Sequence, residues 1–193
     1  MRCGVLALQG DWAAHTQRLC TLGVDTTPVR TPAELDQVDA LVMPGGESTT
    51  MLRLLETDDL TTVLSDRIRD GMPVLATCAG VILLAVATEP AQPTLRLLDI
   101  DVARNAYGRQ VHSCVAGVEL AAELGPPAHF EGVFIRAPKI TRTGPGVEVL
   151  GWYDGDAALV RQGAIIAATF HPELTEDDRV HRLLVGGEAR HDG

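Results

Sequence analysis

The chain has 193 residues, 46% of them hydrophobic, and a formal net charge of -10; it is long enough for one domain with a sizeable core, and no linker-like tract divides it. Phosphate binding relies on clustered Lys and Arg, which this acidic chain lacks, so nucleic acid is not an expected partner. No stretch is apolar for membrane-spanning length, and the amino terminus enters a strand within a few residues instead of a basic segment and long apolar core, which argues against membrane insertion and secretion.

In chain order, Cys3-Gly4-Val5-Leu6-Ala7-Leu8 is a short apolar run that predicts a strand. Gln9-Gly10-Asp11 then forms a loop before a helical pattern carrying Trp12, His15, Leu19 and Leu22. A strand near Val24 to Val29 leads through Pro32 and a short helix to the strand Ala40-Leu41-Val42-Met43, which ends at Pro44-Gly45-Gly46-Glu47-Ser48; helical segments follow. Val74 to Thr77 predicts a further strand and Ala79 to Leu84 a helix. This alternation predicts an α/β fold: a single-domain, open, mixed, largely parallel sheet flanked by helices. After Pro90 and Pro93 the pattern turns β-rich around Leu98 to Val102, Val133 to Ile135, Val147 to Trp152, Ala158 to Val160 and Ile165 to Phe170, with a last helix beginning near Thr175. The two halves read as one mixed sheet.

The strand Val74 to Thr77 turns through Cys78 straight into an apolar helix, the pattern of a nucleophile elbow. Taken alone, a cytosolic cysteine is a small buried apolar residue. Here Gly80 permits close approach of helix and strand, the cysteine falls at the carboxyl edge of the sheet, and helix amides favour a thiolate. Cys3 and Cys20 fall on patterns where packing suffices, and Cys114 has no base near it in sequence. The cysteines show neither close pairing nor metal-ligand spacing, so a reducing cytoplasm, no disulfide scaffold and no metal are expected.

His171 closes an apolar run and precedes Pro172, which disfavours helix at the histidine and presents a strand-end imidazole. Glu173, two residues on, is placed to hydrogen-bond that ring, so Cys78, His171 and Glu173 suggest a triad. His15, His112, His129, His181 and His191 lack such a setting and read as structural or solvent-exposed. The Pro44 to Ser48 loop offers backbone amides where negative charge develops. It has no P-loop Lys and no dinucleotide glycine spacing, and taken alone it is an ordinary Gly-rich turn with Ser48 as helix cap.

Together, Ala76-Thr77-Cys78-Ala79-Gly80, Pro44-Gly45-Gly46-Glu47-Ser48 and Phe170-His171-Pro172-Glu173 resemble the class I, triad-type glutamine amidotransferases, whose fold is flavodoxin-like. Ala7-Leu8-Gln9-Gly10-Asp11, the extension Thr49-Thr50-Met51, Arg104-Asn105-Ala106-Tyr107-Gly108-Arg109-Gln110 and Val133-Phe134-Ile135-Arg136-Ala137-Pro138 narrow the resemblance to the glutaminase subunits of pyridoxal 5′-phosphate synthase, the PdxT family. It spans nearly the whole chain, a single glutamine amidotransferase domain over 1–193 with about 186–193 as a disordered tail. One departure is Ala76, where the broader class commonly has glycine; a methyl there calls for a modest adjustment of the turn.

The resemblance implies that Cys78 attacks the side-chain amide of L-glutamine, His171 shuttles protons and Glu173 orients His171, giving glutamate and ammonia. It also implies an oxyanion hole from the amides of Gly46 and Ala79, and glutamine binding by Gly46, Glu47, Ser48, Arg104, Ile135 and Arg136. The substrate's α-carboxylate suits either Arg. Taken singly, each Arg reads as a surface ion-pair member. The resemblance further implies a (β/α)₈-barrel synthase subunit that receives ammonia by a protected path and makes pyridoxal 5′-phosphate, a product of the pathway and no cofactor of this chain. Gln9 would couple docking of that partner to the oxyanion loop, or be simply a polar loop residue. Two other readings are a different amidotransferase, such as the glutaminase of imidazole glycerol phosphate synthase, and a redox-sensing protein on a similar sheet. The contexts of Arg104 and Ile135-Arg136 argue against the first, and the His171-Glu173 pair against the second.

Overall fold

A computed structural model of the chain describes residues 1–104 and 113–186. The motif residues Asn105 to Gln110, His112, His191 and the tail from 187 lie outside the described residues.

Strand β1 (Arg2–Leu6) leads through Asp11, whose carboxylate caps helix α1 (Trp12–Thr21), to β2 (Asp25–Val29). Helix α2 (Pro32–Leu35) is one turn, started by a capping box in which Thr31 and Glu34 bond each other's backbone, with Pro at the first position. Strand β3 (Ala40–Met43), helices α3 (Ser48–Leu55) and α4 (Leu60–Arg69), strand β4 (Val74–Thr77) and helix α5 (Ala79–Leu84) follow. Then come β5 (Ala85–Glu89), β6 (Leu98–Ala103), β7 (Ser113–Leu120), β8 (His129–Ile135), β9 (Lys139–Thr143), β10 (Glu148–Tyr153), β11 (Asp156–Gln162), β12 (Ile165–Ala168) and helix α6 (Arg179–Val185).

The sequence reading of one mixed sheet needs correction. There is a nine-stranded sheet of order β2-β1-β3-β4-β12-β11-β10-β7-β8, and a separate three-stranded sheet of order β5-β6-β9. In the large sheet the first five strands pair in parallel and the remaining pairs are antiparallel. The inner parallel strands β3, β4 and β12 read as continuous apolar runs because both faces are covered, whereas the edge strand β2 is mostly polar. Along β3, β4 and β12, Leu41, Met43, Val74, Ala76, Ile165 and Ala167 enter one core, while Ala40, Val42, Leu75, Ile166 and Ala168 enter the other.

Three strands, β5, β7 and β9, carry no clear signal in the sequence. Strand β5 follows α5 without a break, so its residues continue an apolar run that reads as helix; the helix stops after six residues and Ala85 turns extended to pair with β6. In β7 the inward residues Cys114, Ala116, Val118 and Leu120 alternate with outward ones, a period-two signal weakened by small side chains. Strand β9 sets Lys139, Thr141, Arg142 and Thr143 around one buried Ile140. The last helix starts at Arg179, later than the expected Thr175, because Pro172–Leu174 first forms a 3₁₀ turn ending at Thr175. The Arg179 guanidinium fixes the helix start by donating to the carbonyls of Gly125, Pro127 and His129.

The parallel pairing aligns the carboxyl ends of β1, β3, β4 and β12, the edge where open α/β sheets place ligands. The loops leaving these ends carry Gln9, Pro44 to Glu47, Cys78 and His171.

Candidate active site

Cys78 sits between β4 and α5 with φ 47° and ψ -102°, a conformation L-residues rarely adopt and one that costs on the order of 1–3 kcal/mol. The surroundings hold it there. Its N–H donates to Ala168 O at 2.9 Å, tying the turn to the end of β12, and its own carbonyl accepts from the Val81 N–H at 3.1 Å. A Cβ on Gly80 would stand inside contact distance of Met43 O, so only glycine lets α5 lie this close to β3. Ala76 is fully buried and paired with Met43 and Ala167, so its methyl is absorbed by the core beneath the elbow.

Beyond β12 the chain keeps bonding across the sheet: Thr169 N–H donates to Ala158 O at 2.8 Å and His171 N–H to Val133 O at 2.8 Å. This extension aims His171 at the elbow. Nδ1 of His171 is 2.7 Å from Glu173 Oε1, which leaves Nε2 for the thiol. Burial alone would lower the His171 pKa, but hydrogen bonds with Cys78 and Glu173 outweigh it and push it up to about 10. For Glu173, burial works upward, and the His15 and His171 rings outweigh it, holding the carboxyl well below its usual range. An ionised carboxylate that orients an imidazolium beside a thiol is the arrangement nucleophilic catalysis requires. Gly45 closes the site from the other side, since a Cβ there would collide with the His171 ring and come within 3.3 Å of Cys78 Cβ.

Cys78 and His171 open onto a cavity of about 270 Å3, also lined by Gly46, Glu47, Ser48, Arg104, Ile135 and Arg136. Every residue expected to bind substrate is therefore gathered at one site. The Cys78 thiol points at the carbonyl of Ile135, 3.8 Å away. Arg136, next along, adopts φ 46° as the chain turns out of β8. Among the described residues neither Arg104 nor Arg136 makes an ion pair, so both guanidinium groups stand ready for an anionic ligand. The N–H groups of Gly46 and Ala79 likewise have no hydrogen-bond partner among the described residues. No group of three His, Cys, Asp or Glu side chains among them is placed to hold a metal ion.

One assignment within the loop changes. The cap of α3 is Glu47, not Ser48: its carboxylate accepts from Thr49 N–H at 3.1 Å and Thr50 N–H at 2.8 Å, and from both hydroxyls. The threonine hydroxyls, acting against slight burial, pull its pKa down to about 2. Ser48 is buried and donates its hydroxyl to Gln92 Oε1 at 3.0 Å. The Glu47 side chain being engaged in the cap, its own N–H is held by Gln9 Oε1 at 2.9 Å, so Gln9 braces the segment that carries Gly46.

The profile of the SNO glutamine amidotransferase family matches residues 5–188. The chain belongs to this family. The pyridoxal 5′-phosphate synthase subunit PdxT of Thermotoga petrophila is 54% identical over 186 residues, covering 96% of this chain and 98% of its own. The subunit of the same name from Salinispora arenicola is 51% identical over 92% of each chain. A solved glutamine amidotransferase superposes with a TM-score of 0.88 at 44% identity, covering 95% of this chain and 97% of that one. PurLQS from Thermotoga maritima shares the fold, at a TM-score of 0.73 and 13% identity. The sheet flanked by helices is thus the fold of known glutamine amidotransferases, as expected from the sequence.

Sequence reasoning missed His15, His181 and Gln92. His15 is buried with Nε2 3.2 Å from both Thr77 Oγ1 and Glu173 Oε2, although only the Thr77 contact is aligned as a hydrogen bond. No local pattern marks it, because its partners come from β4, the turn after β12 and α6. His129 is exposed, as expected. Cys3 is a core residue, whereas Cys20 is exposed on α1 instead of packed.

Proposed function

We propose that this chain hydrolyses L-glutamine to L-glutamate and ammonia with Cys78 as nucleophile, as the glutaminase subunit of a pyridoxal 5′-phosphate synthase. The observation that carries the assignment is a thiol at a strained strand-helix turn that shares one cavity with an imidazole oriented by Glu173 and with two arginines that make no ion pair among the described residues. Its volume of about 270 Å3 suits a small amino-acid ligand.

Cys78 attacks the side-chain carbonyl carbon of glutamine, and its proton resides on His171. The oxygen of the tetrahedral intermediate takes hydrogen bonds from the N–H groups of Gly46 and Ala79. His171 gives the proton to the departing nitrogen, ammonia leaves, and a glutamyl thioester remains on Cys78. His171 then takes a proton from water, which attacks the thioester; collapse expels the thiol and frees glutamate. Glu173 keeps the ring in the tautomer both halves need. Arg104 or Arg136 takes the α-carboxylate, while the backbone around Gly46 to Ser48 and Ile135 lines the substrate.

Ammonia freed into neutral water would be protonated and lost as a nucleophile. The open edge carrying Gln9, Gly46 and Cys78 therefore faces a (β/α)₈-barrel synthase subunit, which receives ammonia and joins it to sugar phosphates. Gln9 senses docking through its bond to the Glu47 N–H. The chain acts as one domain in the cytoplasm. The test is glutamate release by the purified chain with and without that synthase subunit, together with their association in the presence of glutamine. Hydrolysis that needs Cys78 and rises on association is the expected result. A well-folded pair that neither associates nor alters hydrolysis would overturn the synthase assignment.

A further inference from the structure

Behind the triad lies a second row of buried polar side chains. His15 and His181 are both inaccessible, and Nδ1 of His15 is 3.0 Å from Nε2 of His181. One hydrogen lies between those two nitrogens. Nδ1 of His181 is buried without a partner among the described residues. If the shared hydrogen belonged to His15, a neutral His181 would carry its own hydrogen on Nδ1, an unpaired buried donor; if it belongs to His181 Nε2, Nδ1 is only a bare lone pair. The second arrangement is the cheaper one. It makes His15 an acceptor at Nδ1 and places the His15 hydrogen on Nε2, facing Thr77 Oγ1 and Glu173 Oε2, each at 3.2 Å. Glu173 Oε2 is itself buried with no aligned hydrogen bond, so this N–H is the donor within its reach among the described residues.

We propose that His15, its tautomer fixed by His181, is a positioning residue for the triad: its Nε2–H anchors one oxygen of Glu173 while the other orients His171. The inference rests on the reading of Cys78, His171 and Glu173 as the catalytic groups. A carboxylate held at one oxygen can swing about its last torsion, and one held at both cannot. The row Thr77, His15 and His181 thus ties Glu173 to β4, α1 and α6, three elements outside its own turn. Burial, the largest cause, brings the His181 pKa down to about 3, which agrees with a neutral ring at the end of the row.

The decisive variants are His15→Leu, which keeps bulk but removes the donor, and His15→Gln, whose terminal amide can restore one near Nε2. Glutamine hydrolysis by the chain with its synthase subunit is measured alongside thermal unfolding and the pH dependence of Cys78 alkylation by iodoacetamide, read at that peptide by mass spectrometry. The titratable groups facing the row are Glu173, His171 and, through His171, Cys78, with Arg18 on α1 and Asp178 at the start of α6. In His15→Leu, kcat should fall on the order of ten- to a hundredfold with KM nearly unchanged, as for other losses of orientation near a reacting group. Loss of the donor lets Glu173 take a proton at higher pH, so the acid limb of Cys78 alkylation should move upward in pH. His15→Gln should recover most of both. Wild-type kcat and an unmoved acid limb in His15→Leu would overturn the proposal, as would His15→Gln being equally impaired at equal thermal stability. Should His15→Leu not fold, His181→Leu, one link further out, should show the same shift at smaller size, and no shift there would overturn it. Cys78→Ala separates the two levels: hydrolysis surviving in that variant would refute the triad reading itself.

Discussion

Gly80→Ala tests the elbow where its geometry is tightest. The added methyl would stand about 1 Å short of an ordinary contact with Met43 O and 3.2 Å from Met43 Cβ, and the carbonyl belongs to β3, an inner strand held between β1 and β4. Helix α5 must move off the sheet instead, by about that ångström, carrying the amides of its first turn and the Cys78 backbone with it. Overpacking of this kind costs about 1–3 kcal/mol, and alanine's better helix propensity offsets about 1 kcal/mol. A net loss of up to about 2 kcal/mol lowers Tm by no more than about 8 °C in a chain of this size. Activity should suffer far more, because a 1 Å displacement of a reacting group costs about 10²-fold in rate. The assay is glutamate release under saturating glutamine with the synthase subunit present, beside thermal unfolding. Gly117→Ala is the control, since a Cβ at that position in β7 meets nothing within 4 Å. Wild-type turnover in Gly80→Ala would show that α5 need not lie against Met43, and the account of the elbow would fail.

Cys78→Ala should abolish hydrolysis without lowering Tm, whereas Cys20→Ala and Cys114→Ala should leave turnover unchanged, as glutamate release will report. His171→Asn should slow Cys78 alkylation at neutral pH by tenfold or more because the imidazole no longer takes the thiol proton, and Glu173→Gln should slow it less; equal rates in wild type and His171→Asn would contradict the pairing. Gln9→Ala frees the Glu47 N–H and should cost about 1 kcal/mol in kcat/KM, about fivefold, with Tm little changed. Glu47→Gln should destabilise the fold at neutral pH by about 0.5–1.5 kcal/mol through the weakened cap. Because the folded pKa is depressed from 4.5 to about 2, the stability the carboxylate contributes is present above pH 4.5 and lost as pH falls towards 2. The Tm difference between Glu47→Gln and wild type should therefore shrink across that window, and a constant difference would refute the cap's electrostatic role.

The parallel half of the sheet was legible because β1, β3, β4 and β12 are short runs of mainly apolar, buried residues that end in loops carrying glycine, proline or cysteine. The elbow was legible for the same reason: Cys78 interrupts an apolar run at the point where strand must become helix. Strand β5 was not, since Ala85 to Glu89 changes conformation within an unbroken apolar stretch and only pairing with β6 decides it. Nor was the cap of α3, where Glu47 and Ser48 are both competent and the two following threonines choose Glu47. His15 illustrates a deeper limit. Its neighbours Thr77, Glu173 and His181 are 62 to 166 positions away in the chain, so no periodicity reports the contact.

Strand β12 is among the last elements made, yet it lies in the middle of the large sheet, between β4 and β11. Residues 165–168 must be made before that slot is filled, and until then the edge of β4 offers Val74 to Thr77 as unpaired backbone. Cys78 is thus synthesised long before His171. Because the same strand both closes the sheet and leads into His171, a chain that lacks it has neither the complete sheet nor the pairing of His171 with Glu173 beside Cys78.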